Sequence, residues 1–292
     1  MVPRFSVLWI FGSVVLRLLS MLNLPRILAG LILSAAIGWL AYRRRSLTRS
    51  GWLGAIITGT STFGFGGWTW GLGLIAFFVS SSALSHFRQA QKQRIAGEKF
   101  EKGGQRDLAQ TLANGGAGAL LALLYGLDGE PVALLALFAG VMATVAADTW
   151  ATELGTLSRQ PPRLITTFRS VPAGTSGGVS MAGTLATAAG ALFIGIVLAL
   201  VFWLEHGAWL VWLLPAALLG GLAGSFSDSL LGATVQASYW LPGGGKTERA
   251  HGADGTPHQL IRGWRWMHND AVNFFSSVVG GMVALIIWIV AR

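Results

Sequence analysis

Cysteine is absent from the chain, which excludes disulfides and cysteine-ligated metal. Charge is also scarce. Only 11% of residues are Asp, Glu, Lys or Arg, against about 25% in an ordinary soluble domain. Carboxylates are scarcest, with 12 acidic residues to 21 basic ones, so each acidic residue inside an apolar run needs a reason. There is no low-complexity tail and no stretch that reads as a second, soluble domain. The sequence is therefore read as one membrane domain over 1–292, with an apolar N-terminal segment at 1–24 that either spans or lies in the interface.

The remainder is apolar. Hydrophobic residues make up 53% of the chain, more than a soluble fold of this size hides, so lipid must be much of the solvent. The 40 Gly and 13 Trp fit that reading, because Gly lets membrane helices pack closely and Trp favours the interfaces. A net charge of +9 does not point to nucleic acid here, since the basic residues sit in loops. Apolar lengths predict about eight spanning helices, at 26–42, 51–66, 67–84, 108–125, 131–156, 179–203, 209–236 and 269–290. The expected fold is an all-α, polytopic integral membrane protein.

Loop charge orients these helices. Arg43, Arg44, Arg45 and Arg49 fill one loop, and 85–107, 157–178 and 237–267 carry most of the other basic residues. The turns near 64–67, 126–130 and 204–208 have no Lys or Arg. This is the positive-inside pattern. It places the long loops in the cytoplasm, the C-terminus outside, and the protein in the cytoplasmic membrane.

With that topology, three acidic anomalies fall at one depth. Asp148, Thr149, Thr152 and Glu153 close the fifth segment. Ser225, Asp228 and Ser229 lie near the inner end of the seventh, and Asn269, Asp270 and Asn273 open the eighth. Gln110 and Asn114 open the fourth, four residues apart and so on one helix face. A charge at the bilayer centre costs about 2.5–3.5 kcal/mol on insertion scales. Polar glue between helices favours Ser, Thr, Asn and Gln, whereas three Asp need a cation or protons to balance them. Hard divalent ions take carboxylate oxygens, and Mg²⁺ commonly binds one or two of them together with substrate phosphates. Asp148, Asp228 and Asp270 are the expected Mg²⁺ ligands, with Glu153 completing or orienting the shell.

The 157–178 loop supplies the opposite sign. Arg163 and Arg169 precede Pro172-Ala173-Gly174-Thr175-Ser176-Gly177-Gly178, which leads into the sixth segment. Gly-rich backbone can form an anion-binding nest, and a helix N-terminus beyond it also favours phosphate. Arg169, Gly174, Thr175, Ser176, Gly177 and Gly178 are thus expected to cradle a triphosphate, with Asn114 and Asn273 holding phosphate or ribose. Gly245-Lys246-Thr247 looks like the end of a P-loop, but Trp240 stands where that motif needs Gly. Lys246 is kept only as a phosphate contact. His251, His258 and His268 match no standard zinc spacing.

Five stretches together resemble a membrane family that includes the plant chloroplast phytyl-phosphate kinase and an uncharacterised animal transmembrane protein. They are Gln110 to Gly116, Ala147 to Glu153, Pro172 to Gly178, Asp228 to Gln236 and Asn269 to Asn273, within a resemblance running from about Leu40 to the C-terminus. It implies an enzyme that phosphorylates an isoprenoid monophosphate to the diphosphate, with CTP as a candidate nucleotide. The chain departs from the family at Leu241, Gly244 and Gly252, where many relatives carry cysteines. The expected partners are a nucleoside triphosphate, an isoprenoid phosphate and membrane lipid. Two other classes stay open: a cytidylyltransferase attacking the α-phosphate with the same metal geometry, and a cation-coupled transporter.

Overall fold

The computed structural model describes residues 23–96, 104–129, 131–241, 244–252 and 254–292. The apolar segment expected at 1–24 falls outside them except for its last two residues. Nine helices are present among the described residues: α1 (Leu24–Arg43), α2 (Arg49–Gly66), α3 (Trp68–His86), α4 (Gln89–Ala96), α5 (Leu108–Leu127), α6 (Val132–Gly155), α7 (Met181–His206), α8 (Leu213–Thr234) and α9 (Asn269–Val290). Eight are long, and seven of those are long and apolar enough to cross a membrane. The exception is α2, whose Gly- and Thr-rich sequence packs between α1 and α5. The chain is an all-α polytopic membrane protein.

Local chemistry sets the helix ends. Asn23, Thr48, Asp107 and Ser180 each accept a backbone N–H of the first turn of α1, α2, α5 and α7, satisfying donors the helix cannot. Gly67, at φ +81°, breaks α2 from α3. Arg26 donates to the carbonyls of Gly64 and Phe65 at 2.9 Å each, covering the last turn of α2. Glu205, at the end of α7, accepts from the Trp68 and Thr69 N–H groups at 3.2 and 3.0 Å. A carboxylate there complements the positive N-terminus of α3.

The central helix is α6. It packs against α3, α5, α7, α8 and α9 and is buried without interruption from Phe138 to Ala147. Gly140, Gly220 and Gly280 meet where α6, α8 and α9 cross. A Cβ on Gly140 would collide with the Gly280 carbonyl, and one on Gly220 would come within 2.7 Å of it. Thr144 Oγ1 bonds to the Gly140 and Gly220 carbonyls at 2.8 and 3.2 Å. With no water to drive helices together, such small-residue contact does the packing. Leu185, Ile196 and Leu204 of α7 and Met282, Ile286 and Ile289 of α9 point outward, as lipid permits.

The sequence reading missed the ordered structure in the long loops. Within 157–178, β1 (Arg163–Leu164) pairs with β2 (Gly178–Val179). Beyond α8, β3 (Ser238–Trp240) lies between β4 (Lys246–Thr247) and β5 (Leu260–Arg262). Arg262 of β5 donates to the Gly232 and Ala233 carbonyls at 2.6 and 2.7 Å, fixing this small sheet to the end of α8. Burial pushes its guanidinium below the usual range, and Glu248 pulls it back.

Candidate active site

Several helix ends converge on one cavity of about 620 Å³. The starts of α5, α7 and α9 and the ends of α6 and α8 all contribute side chains to its wall. Parts of the 85–107, 157–178 and 237–267 segments line it too, so the three basic loops meet at one end of the bundle. Glu205 and Arg26 serve the other end.

Asp148 of α6 and Asp228 of α8 both line the cavity, with Thr149, Thr152, Ser225 and Ser229 from the same helices. Ser276 Oγ donates to Asp228 Oδ2 at 3.2 Å. Across from them, Asn273 Nδ2 donates to Asn114 Oδ1 at 3.4 Å, joining α9 to α5. The Asn273 Oδ1 and Gln110 Oε1 atoms are buried without a hydrogen-bond partner, although both residues stand on the cavity wall. Such atoms are costly to leave unpaired.

The expected three-aspartate shell is not assembled. Asp270 is 6% exposed and does not line the cavity. Among the described residues, no three His, Cys, Asp or Glu converge as a metal-binding group. The helical periodicity explains this: Asn269 and Asn273 share the face that meets the cavity, and Asp270, one residue on from Asn269, is turned about 100° away. Two carboxylates with neighbouring amide oxygens remain. All are hard oxygen donors, and the set fits a Mg²⁺ ion that takes its other ligands from phosphate and water.

Glu153 is engaged elsewhere. It forms an ion pair with Lys92 of α4 and accepts from Ser85 Oγ at 2.6 Å. Lys92 also donates to the Leu84 and Ser85 carbonyls. The carboxylate therefore ties α4 onto the end of α3 at the cavity rim, and is not spare for a metal shell.

The Pro172–Gly178 loop lines the cavity from Ala173 to Gly178, but its details differ from an open nest. The Thr175 and Gly178 N–H groups are spent on the Pro172 and Thr175 carbonyls, at 3.2 and 2.9 Å. Ser176 Oγ donates to Gln236 Oε1 at 2.6 Å. Gly174 and Gly177 have φ +74° and +80°. A Cβ at Gly177 would lie 2.5 Å from Ala233 Cβ and 2.7 Å from the Ser229 carbonyl. Gly177 thus packs closely on α8. Arg169 and Lys246 are both exposed and outside the cavity wall. Arg169 sits in the β1 hairpin, where its carbonyl receives the Leu164 N–H.

Among the described residues, the cations that reach the wall are Lys92, Arg106 and Arg249. In the sequence all three are ordinary charges of the basic 85–107 and 237–267 loops. Arg106 Nη1 donates to Ser82 Oγ at 3.0 Å. Burial holds its guanidinium below the usual range, and the charge of Glu153 opposes that shift. Glu248 joins Arg249 at the wall. His258 Nδ1 lies 2.9 Å from the Arg249 carbonyl, bracing that turn.

The profile of the integral membrane protein DUF92 matches residues 32–281. The chain belongs to that family. Protein PGR of Arabidopsis thaliana is 34% identical over 87% of this chain and 93% of its own length. An uncharacterized membrane protein of Methanocaldococcus jannaschii is 29% identical over 92% of this chain and 97% of its own. Protein VTE6, chloroplastic, also of A. thaliana, is 26% identical over 82% of this chain and 65% of its own length. No solved structure is significantly similar. The DUF92 match spans every helix end that lines the cavity, so the site belongs to the shared part of the family.

Proposed function

We propose that this DUF92 protein is a membrane phosphotransferase that converts an isoprenoid monophosphate to its diphosphate at the expense of a nucleoside triphosphate. The observation that carries the reading is the cavity itself. Two intramembrane carboxylates, two amide oxygens without partners and three cationic side chains line one space at the end of the bundle. That donor set supports a metal–phosphate site. The resemblance to phytyl-phosphate kinase favours a prenyl substrate.

Phosphoryl transfer needs little covalent help from protein; it needs positioning and charge neutralisation. A phosphate oxygen of the acceptor forms a bond to the γ-phosphorus. The bond from that phosphorus to the β,γ-bridging oxygen breaks, and the nucleoside diphosphate leaves with its electron pair. No general base is required, because the acceptor is already an anion. A bound Mg²⁺ would neutralise charge on the transferring group, with Asp148 and Asp228 as its protein ligands. Asn114, Asn273 and Gln110 orient phosphate oxygens or ribose by hydrogen bonding. Arg106 and Arg249 offset the acceptor's charge, and the 173–178 loop closes one wall. We place this end of the bundle in the cytoplasm from the charge of its three loops, where nucleotide is available.

The test is purified protein in detergent with Mg²⁺, labelled CTP and other triphosphates, and a panel of prenyl monophosphates. The expected products are prenyl diphosphate and nucleoside diphosphate. Release of inorganic diphosphate with a nucleotide-linked lipid would replace this reading by nucleotidyl transfer. Absence of turnover with every pair would remove it.

A further inference from the structure

A second, apolar crevice of about 80 Å³ lies between α1, α2, α3 and α5. Its wall includes Leu33, Ile37, Ala55, Leu74, Ile75 and Phe78. Two residues belong both to this crevice and to the polar cavity, namely Arg106 and Asn114. The two spaces are therefore neighbours with a common wall. On the other side, Leu33 is 37% exposed on the outer face of α1, so the crevice reaches toward lipid.

The chemistry changes across that wall. Arg106 is half-buried, lies over the Phe78 ring at 5.9 Å, and is held from its backbone by Ser46 and Thr48 of the α1–α2 connection. A fixed cation thus stands where an apolar slot meets a cavity lined by acids and amides. An amphiphile with an anionic head suits that junction: its head desolvates against a guanidinium, while its first carbons stay out of water. Occupants of another kind fit worse. A free nucleotide has no apolar part to fill the slot, and a diacyl phospholipid sets polar glycerol esters, not apolar carbons, next to its phosphate.

We propose that this crevice seats the phosphate-proximal isoprene units of the lipid substrate, with Arg106 as the residue that positions its phosphate. The proposal rests on the kinase reading and names the route by which its substrate enters. Whole-ligand pockets typically measure about 300–1,000 Å³, so a crevice of this size holds only the head end of the chain. The rest lies in the bilayer beyond α1. Selectivity then resides in the first units. Farnesyl, geranylgeranyl and phytyl chains of different length compete through the same short slot, and length beyond it is tolerated.

Two measurements test this. The first is photolabelling of the wild-type protein in nanodiscs by geranyl monophosphate with a diazirine on its first isoprene unit. Labelled peptides are expected from α1, α2 or α3, with protection by unlabelled geranyl monophosphate and not by inorganic phosphate or geraniol. The second is kinetics of Ala55→Phe, which fills the slot, and of Leu33→Trp at its rim should the first fail to fold. Each is expected to raise the KM for prenyl phosphate at least tenfold while leaving the nucleotide KM within twofold. Turnover with labelling confined to α7–α9, or with equal rises in both KM values, overturns the crevice assignment and leaves the kinase reading standing. Phosphate-dependent labelling of the crevice without turnover on any substrate pair does the reverse. It supports a prenyl-phosphate seat and overturns the kinase.

Discussion

Asp148 and Asp228 stand in helices that otherwise carry no acidic residue before their last turns, and that made them legible. An acid in an apolar run has few explanations. Converting either to Asn keeps its shape and removes one charge from the proposed Mg²⁺ shell. Turnover is expected to fall on the order of 100-fold or more, by comparison with the loss of other preorganised charge stabilisers, while thermal unfolding stays near that of the parent. Near-normal rates in both variants would sink the assignment. The cations were less legible. Arg169 and Lys246 looked right by sequence neighbourhood, but both are exposed off the cavity, whereas Arg106 and Arg249 reach it through folds of loops that leave no sequence period. Arg169→Lys is accordingly expected to leave nucleotide affinity within about twofold, as surface changes usually do; a large loss in a nucleotide titration would return Arg169 to the site. Gly177 was legible as special, and its close approach to α8 was not. Gly177→Val meets Ala233 and forces a branched side chain to positive φ, so it should lower stability by about 1–3 kcal/mol. The check is a thermal melt in detergent. A parent-like melt with lost nucleotide binding would restore the phosphate-wrapping role.

Among the elements, the long helices were readable because apolar length is a strong signal, and even the break at Gly67 fell where two glycines stand together. The short ones were not. The sequence of α4 is mostly polar and short, and Lys92, its buried anchor, looks like any loop lysine until Glu153 is found beside it. Strands of two or three residues are too brief to show alternation. The Lys92–Glu153 pair has side chains 9% and 19% exposed, so breaking it leaves a charge in a poorly solvated place. Glu153→Gln is expected to cost about 3–5 kcal/mol, and the Lys92→Met, Glu153→Met pair together much less, following buried ion pairs elsewhere. A double-mutant cycle on melting temperature measures the coupling. Additive single effects would show that the two residues act independently.

For the whole molecule, the alternation of basic and uncharged loops anticipated which ends of the bundle belong together, and the cavity joins those same loops. Their side of the membrane is testable because the chain has no cysteine. Single cysteines at Ala90, Ser170 and Thr256, all exposed, are expected to resist an impermeant maleimide in intact cells, while cysteines at Asp128 and Gly207 react. External labelling of any of the first three would reverse the orientation. The three-glycine crossing has a further consequence, for synthesis. The ribosome delivers α6 first and α9 last, and Gly280 rides on α9 together with Ser276, the hydroxyl that holds Asp228. Neither the crossing nor the acidic wall can close until α9 has packed beside α6 and α8. A chain that has inserted α6 and α8 but not α9 therefore lacks both features, however much of its sequence is already in the bilayer.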